Sequence, residues 1–287
     1  MSDIPKTFAD IPEEYADANK AAILLQAIPY DGTSTYVKGA DRAFEEFMKA
    51  SPQIEFYDIE TDSEVYRRGI AVVPEIGKCD SPSQMVAEVY AKTKELLERG
   101  KFLTFLGGEH SVSIGVLRAF SEKYNDLSVL HLDAHADLRK EYQGSPFNHA
   151  CAMHEVSQRN NLVQVGIRSM DISELEYCDK AKTFFAHDIH GNDAWMDKAV
   201  EDLGDNVYIS LDLDALDPSI MSSTGTPEPG GLQWYQCLKL LRKVFEKRNV
   251  VGFDLVELAP MEQNHASTFL VVKLFYKMLS YKFALKK

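Results

Sequence analysis

Two apolar runs in this chain end in ligand-type residues spaced by single positions. They are Leu130-His131-Leu132-Asp133-Ala134-His135-Ala136-Asp137 and Ile209-Ser210-Leu211-Asp212-Leu213-Asp214. Alternate residues of a strand point to one side, so Asp133, His135 and Asp137 can converge, as can Asp212 and Asp214. Such a crowd of like charges is self-repelling unless something positive sits within it. A divalent metal pair is the natural neutraliser, and the chain reads first as a metalloenzyme.

The rest of the sequence supplies a scaffold for two such strand ends. Short, nearly continuous apolar runs at 22–28, 54–58, 102–106, 127–132, 162–166, 183–186, 207–211 and 250–253 are expected to be strands covered on both faces. Amphipathic stretches at 82–99, 111–123, 232–247 and 268–282 are expected to be helices. This alternation implies an α/β fold, a three-layer α/β/α arrangement around a mostly parallel, eight-stranded sheet. Neither an internal repeat nor a linker divides the chain, so residues 21–287 are expected to form a single domain behind an N-terminal extension, 1–20. Ligands of such sheets bind beyond the carboxyl ends of the strands. Four strand ends carry suitable groups: Gly107-Gly108-Glu109-His110-Ser111, the two acidic runs above, and Asp254-Leu255-Val256-Glu257.

Composition narrows the partners. A net charge of −13 argues against nucleic acid and is compatible with a cationic small substrate. Four scattered cysteines show neither a disulfide framework nor a zinc knot. Without a signal-like N-terminus or a spanning apolar run, a cytoplasmic protein is expected, with no membrane partner.

The blocks GGEHS (107–111), DAHADLR (133–139), SLDLDALDPS (210–219) and GTPEPGGL (225–232) together resemble the ureohydrolase family of arginases and agmatinases. The likeness runs in order from about residue 29 to 260 and implies two Mn2+ per subunit. On it, His110, Asp133, Asp137 and Asp212 are implied as ligands of one ion, and His135, Asp133, Asp212 and Asp214 as ligands of the other. Oxygen-rich ligation suits manganese better than zinc. The resemblance further implies hydrolysis of a guanidinium group to urea and an amine, with Asp137 moving protons, His149 shuttling a proton or contacting the departing amine, and Glu257 gripping the guanidinium. Thr226 resembles the threonine that orients that glutamate. His131 is expected only to pack within its strand, and Asp254 only to hold backbone amides.

The stretch 140–149 lacks the polar loop with which arginases hold an amino acid, and Glu141 disfavours a substrate carboxylate. Agmatine, yielding putrescine, is therefore the expected substrate, with N1-aminopropylagmatine, yielding spermidine, as the alternative. The segments 163–171 and 208–218 look close to enzymes of the second kind, and Asn264-His265 departs from the agmatinase pattern. Phe44 replaces the proline usual in the family's glycine-rich loop, so that loop receives no site. From another class, a zinc-dependent amide deacetylase shares the architecture but lacks the second DxD-plus-histidine set. A catalytically silent regulator predicts lost ligands, yet all the motif positions are filled. The family likeness suggests a homotrimer or homohexamer.

Overall fold

The computed structural model describes residues 4–285. Eight strands form one sheet: β1 (Ile23–Ile28), β2 (Ile70–Val73), β3 (Phe102–Gly107), β4 (Leu127–Leu132), β5 (Asn161–Ile167), β6 (Thr183–Phe185), β7 (Asn206–Asp212) and β8 (Asn249–Val256). Their order is β2-β1-β3-β8-β7-β4-β5-β6, and every pairing is parallel. Among the described residues, eight α-helices accompany them: α1 (Ala43–Ala50), α2 (Pro82–Leu97), α3 (Val112–Lys123), α4 (His154–Arg159), α5 (Ala186–Ile189), α6 (Trp195–Glu201), α7 (Trp234–Lys247) and α8 (His265–Ala284).

Each face of the sheet carries its own apolar layer. Ile23 and Leu25 of β1 join Ile209, Leu211 and Phe253 beneath α1, α6, α7 and α8. Leu24 points the other way and joins Leu103, Phe105, Val129 and Tyr208 under α2, α3 and α4. This two-sided burial explains why the strands read as continuous rather than alternating apolar runs.

The expected strand at 54–58 is not one. Ile54 is buried, but Glu55 and Tyr57 are exposed, so this stretch alternates where a doubly covered strand cannot. It is pinned instead to α8, where the Tyr276 hydroxyl donates to the Phe56 carbonyl at 2.6 Å. Asp58 makes only an isolated antiparallel bridge with Ser63. The place beside β1 goes to Ile70-Ala71-Val72-Val73, a continuous apolar run. The short helices α1, α4, α5 and α6 also escaped the sequence reading. Ahead of β1, Phe8 is fully buried and sits 5.6 and 5.3 Å from the rings of Phe47 and Phe275. Burying such a ring contributes roughly 1.5–3 kcal/mol, so the leading segment is packed against the domain.

At the sheet's centre the register brings four strand ends level. Leu106, Leu255, Leu211 and Leu132 lie side by side across β3, β8, β7 and β4. The residues immediately beyond this row emerge together at one edge. No helix among the described residues is long and apolar enough to cross a membrane.

Candidate metal centre and active site

Asp133 immediately follows β4, and its carboxylate reaches toward three histidines. His131 Nε2 lies 2.8 Å and His110 Nδ1 3.1 Å from Asp133 Oδ2, while His135 Nδ1 lies 3.5 Å from Oδ1. Two groups of ligand atoms close enough to share an ion meet at this residue. One comprises His110, His131, Asp133 and Asp137, the other Asp133, His135 and Asp214. Asp212 adds its Oδ2 at 3.4 Å from His110 Nδ1. The structure thus brings together His110, Asp133, His135, Asp137, Asp212 and Asp214, the six residues marked out by motif.

Hydrogen bonding distinguishes the ligand-like histidine from its neighbour. The Ser210 hydroxyl donates to Asp254 Oδ1 at 2.8 Å, so its oxygen is left to accept the His110 Nε2–H, 3.0 Å away. That assignment leaves a bare lone pair on His110 Nδ1. The atom is buried without a hydrogen-bond partner, although Asp137 Oδ2 lies at 3.1 Å as well as Asp133. A lone pair facing carboxylates is repelled unless a cation lies between them, so the donor set fits a hard divalent ion. His131 is different. Its Nδ1 accepts from the Gln164 side-chain amide at 3.0 Å, which makes Nε2 the protonated nitrogen, and Nε2–H donates to Asp133. His131 thus has both ring nitrogens engaged and braces Asp133, a contact beyond simple packing.

With no cation between them, the carboxylates instead draw protons onto the histidines, a positive charge that a bound ion would replace. Burial opposes a charged His110, but Asp133, Asp137 and Asp212 outweigh it and drive its pKa well above the usual histidine range. Burial likewise opposes charge on His135, and Asp214 and Asp133 overcome it, pushing the pKa up to about 12. Burial would raise Asp133, yet the surrounding histidines hold it well below the usual carboxylate range. Burial, with the charges of Asp214 and Asp133, raises Asp212, and burial with the charge of Asp133 raises Asp214. Protein groups alone do not neutralise all of these carboxylates.

Glu257 follows β8. Its Oε1 accepts the His110 backbone N–H at 2.8 Å, and a Cβ built on Gly225 would lie 3.4 Å from its Oε2. Burial and the charge of Glu109 hold its pKa well above the usual carboxylate range. Thr226 lines the mouth of the site, together with His135, Asp137, Tyr142, His149 and Asp171. One donor that positions Glu257 is the His110 amide. Glu141 is exposed, and the acids at the mouth are Asp171, Glu174 and Glu228, the last 4.0 Å from His135 Nε2. Arg168 secures the Glu228 loop by donating to the Asp214 carbonyl at 2.6 Å and the Glu228 carbonyl at 2.8 Å. The cleft measures about 280 Å³. Larger hollows, about 580 Å³ beside α2–α4 and 890 Å³ beside α7 and α8, lie away from the strand ends. The chemistry of the lining, not its size, locates the site.

The Arginase family model matches residues 21–280. The chain belongs to the arginase family. It is a ureohydrolase by that membership. It is 40% identical, over 88% of both chains, to an N(1)-aminopropylagmatine ureohydrolase of Thermus thermophilus. A second protein of that name, from Synechocystis, is 33% identical over 96% of this chain and 94% of its own. Among solved structures, the agmatine ureohydrolase of Thermoplasma volcanium superposes with a TM-score of 0.85 at 29% identity, covering 98% of this chain and 95% of that one.

Several contributors escaped the sequence reading: Thr33, Glu109, His131, Gln164, Arg168, Ser210 and Asp254. Glu109 and Ser210 sit inside the recognised blocks, so their adjacency to ligand residues was the available signal. Thr33 reaches the site from 76 residues before Glu109, which no local pattern reports.

Proposed function

We propose that this ureohydrolase hydrolyses N1-aminopropylagmatine to urea and spermidine, using two Mn2+. The observation that carries the substrate choice is the pair of aminopropylagmatine ureohydrolases that match nearly the whole chain. That alternative displaces agmatine, the first expectation from sequence. Glu228, 4.0 Å from His135 Nε2, supports a substrate whose far end is cationic, whereas Asp171 in the same cleft is paired with Arg139 at 3.5 Å.

His110, Asp133, Asp137 and Asp212 would hold one ion, and His135, Asp133, Asp212 and Asp214 the other. When bound, the ions supply positive charge that eases deprotonation of water near neutral pH. Glu257 pairs with the planar N–H groups of the guanidinium and fixes its carbon in the cleft. Asp137 accepts the proton of the attacking water as the new C–O bond forms. The C–N bond to the alkyl chain then breaks. The departing nitrogen takes up the water's proton from Asp137, and as the hydroxyl on carbon becomes the urea C=O its proton passes through His149 to the same nitrogen, leaving urea and a protonated amine. Burial lowers the His149 pKa, which keeps its ring neutral and able to receive that proton.

The test is urea release from N1-aminopropylagmatine, agmatine, arginine and guanidinobutyrate with added Mn2+. The proposal expects the highest kcat/KM with aminopropylagmatine. Preference for agmatine returns the choice to the shorter substrate, and acetate release from an acetylated amine without urea would point to a deacetylase.

A further inference from the structure

The Glu109 carboxyl is fully buried beside the site, yet the proposed reaction gives it no task. Its Oε2 accepts from the Thr33 hydroxyl and its Oε1 from the Ser111 hydroxyl, both at 2.5 Å. Thr33 Oγ1 also lies 3.0 Å from His149 Nδ1 and accepts the His149 backbone N–H at 3.0 Å. The loop carrying Thr33 is tied to the glycine turn through Gly108 N–H to Ile28 O, 2.8 Å, and Glu109 N–H to Tyr30 O, 2.9 Å. Gly108 permits this approach, because a Cβ there would fall 1.9 Å from the Tyr30 carbonyl oxygen.

A threonine hydroxyl has one proton to donate. Burial raises the Glu109 pKa to about 7, and in its ionised form, favoured by the Thr33 and Ser111 donors, it receives that proton, so the Thr33 oxygen offers only lone pairs to His149. The nitrogen facing Thr33, Nδ1, must then carry the ring proton. We propose that Thr33, anchored by Glu109, is a positioning residue for His149. It fixes the neutral imidazole as the Nδ1–H tautomer, leaving the Nε2 lone pair to receive a proton and pass it to the departing amine. This inference rests on the proton-transfer role proposed for His149. Glu109 works through Thr33 and touches no substrate atom in this scheme.

The test compares Thr33→Val, which removes the hydroxyl at nearly constant shape, with Thr33→Ser, which retains it, and with His149→Asn. For the manganese-loaded enzymes, kcat, KM and metal content are measured. For the full-length chain before manganese is added, nitrogen-15 NMR of labelled histidine reports the His149 tautomer, the signal being assigned by its loss in His149→Asn. Thr33→Val is expected to lower kcat on the order of 10–100-fold at unchanged KM and metal content. Its two His149 ring nitrogens should shift toward a mixed tautomer, and Thr33→Ser should restore both rate and spectrum. Wild-type kcat in Thr33→Val, an unchanged tautomer, or equal damage in Thr33→Ser would each overturn the relay. Wild-type kcat in His149→Asn would instead overturn the role of His149 on which the relay rests.

Discussion

Asp137 and Glu257 hold φ angles of 53° and 67°, in the left-handed region that side chains with a Cβ seldom adopt. Both are proposed to act on the substrate, and strained backbone of this kind persists where surrounding structure over-determines it. At Glu257 the constraint is visible: its backbone N–H donates to the Gly108 carbonyl at 2.8 Å while its carboxylate accepts from His110 N–H. Glu257→Gln keeps this shape but removes the carboxyl that ionises against a bound guanidinium. The expected outcome is a raised KM and a kcat/KM about 10²-fold lower, with both ions retained, measured by steady-state kinetics and metal analysis. Asp214→Ala should release or weaken the ion beside His135, lowering manganese content while the far-ultraviolet circular dichroism stays unchanged. Equal metal content in variant and wild type would contradict the ligand assignment. The convergence of the proposed ligand residues was legible because single-residue spacing after an apolar run is itself a geometric statement. Thr33, Gln164 and Arg168 were not, since each acts across a tertiary contact.

Strands and helices carry these side chains with little slack. Between β7 and β8 the register shifts after Val207↔Val250, so Tyr208 pairs with Gly252. Beyond that irregularity Asp212 comes level with Val256, beside Glu257. A Cβ on Gly252 would meet Phe120 Cζ at 2.8 Å, which ties the bulge to the packing of α3. At the α2–α3 contact, a Cβ on Gly115 would lie 2.7 Å from the Val86 carbonyl oxygen. Gly115→Ala should therefore destabilise the protein by about 1–3 kcal/mol, read from the urea midpoint. The stretch at 54–58, expected as a strand, contributes instead through a polar anchor. Lys277 Nζ lies 3.1 Å from Asp58 Oδ2 and 2.5 Å from Glu60 Oε2, and the Tyr281 hydroxyl donates to Glu60 at 2.8 Å. Burial opposes charge on Glu60, but Lys277, Arg242 and Tyr281 prevail and lower its pKa to about 2. A depressed carboxylate pKa gives stability that is present above the unfolded value and lost as pH falls through the folded one. Glu60 is partly exposed, so its contribution is discounted to about 1 kcal/mol. Glu60→Gln should cost that amount at pH 7 and progressively less as pH falls from about 4.5 toward 2, checked by urea unfolding across that range. The misplaced strand and the correctly placed ones differ in a simple way: tertiary cover on both faces demands continuous apolar sequence, which 70–73 has and 54–58 lacks.

Across the whole molecule, a net charge of −13 surrounds a cleft proposed to admit a polycation. Long-range attraction of this sort acts on encounter rate and is screened by salt. The kcat/KM for the preferred substrate should fall roughly threefold as ionic strength rises from about 0.02 to 0.2 M, with kcat nearly constant. A salt-independent kcat/KM would confine recognition to short-range contacts at the site. The same scale bears on the proposed ions, because the residues proposed to hold them follow β3, β4 and β7, three strands of one sheet. Binding them should stabilise the fold as well as enable the chemistry. The most direct measurement is anomalous X-ray diffraction at the manganese absorption edge from crystals of the protein supplied with Mn2+. Two peaks are expected, one beside His110 and one beside His135, with the Asp133 carboxylate between them. Absence of peaks there under saturating manganese, or peaks only at other surfaces, would contradict the account.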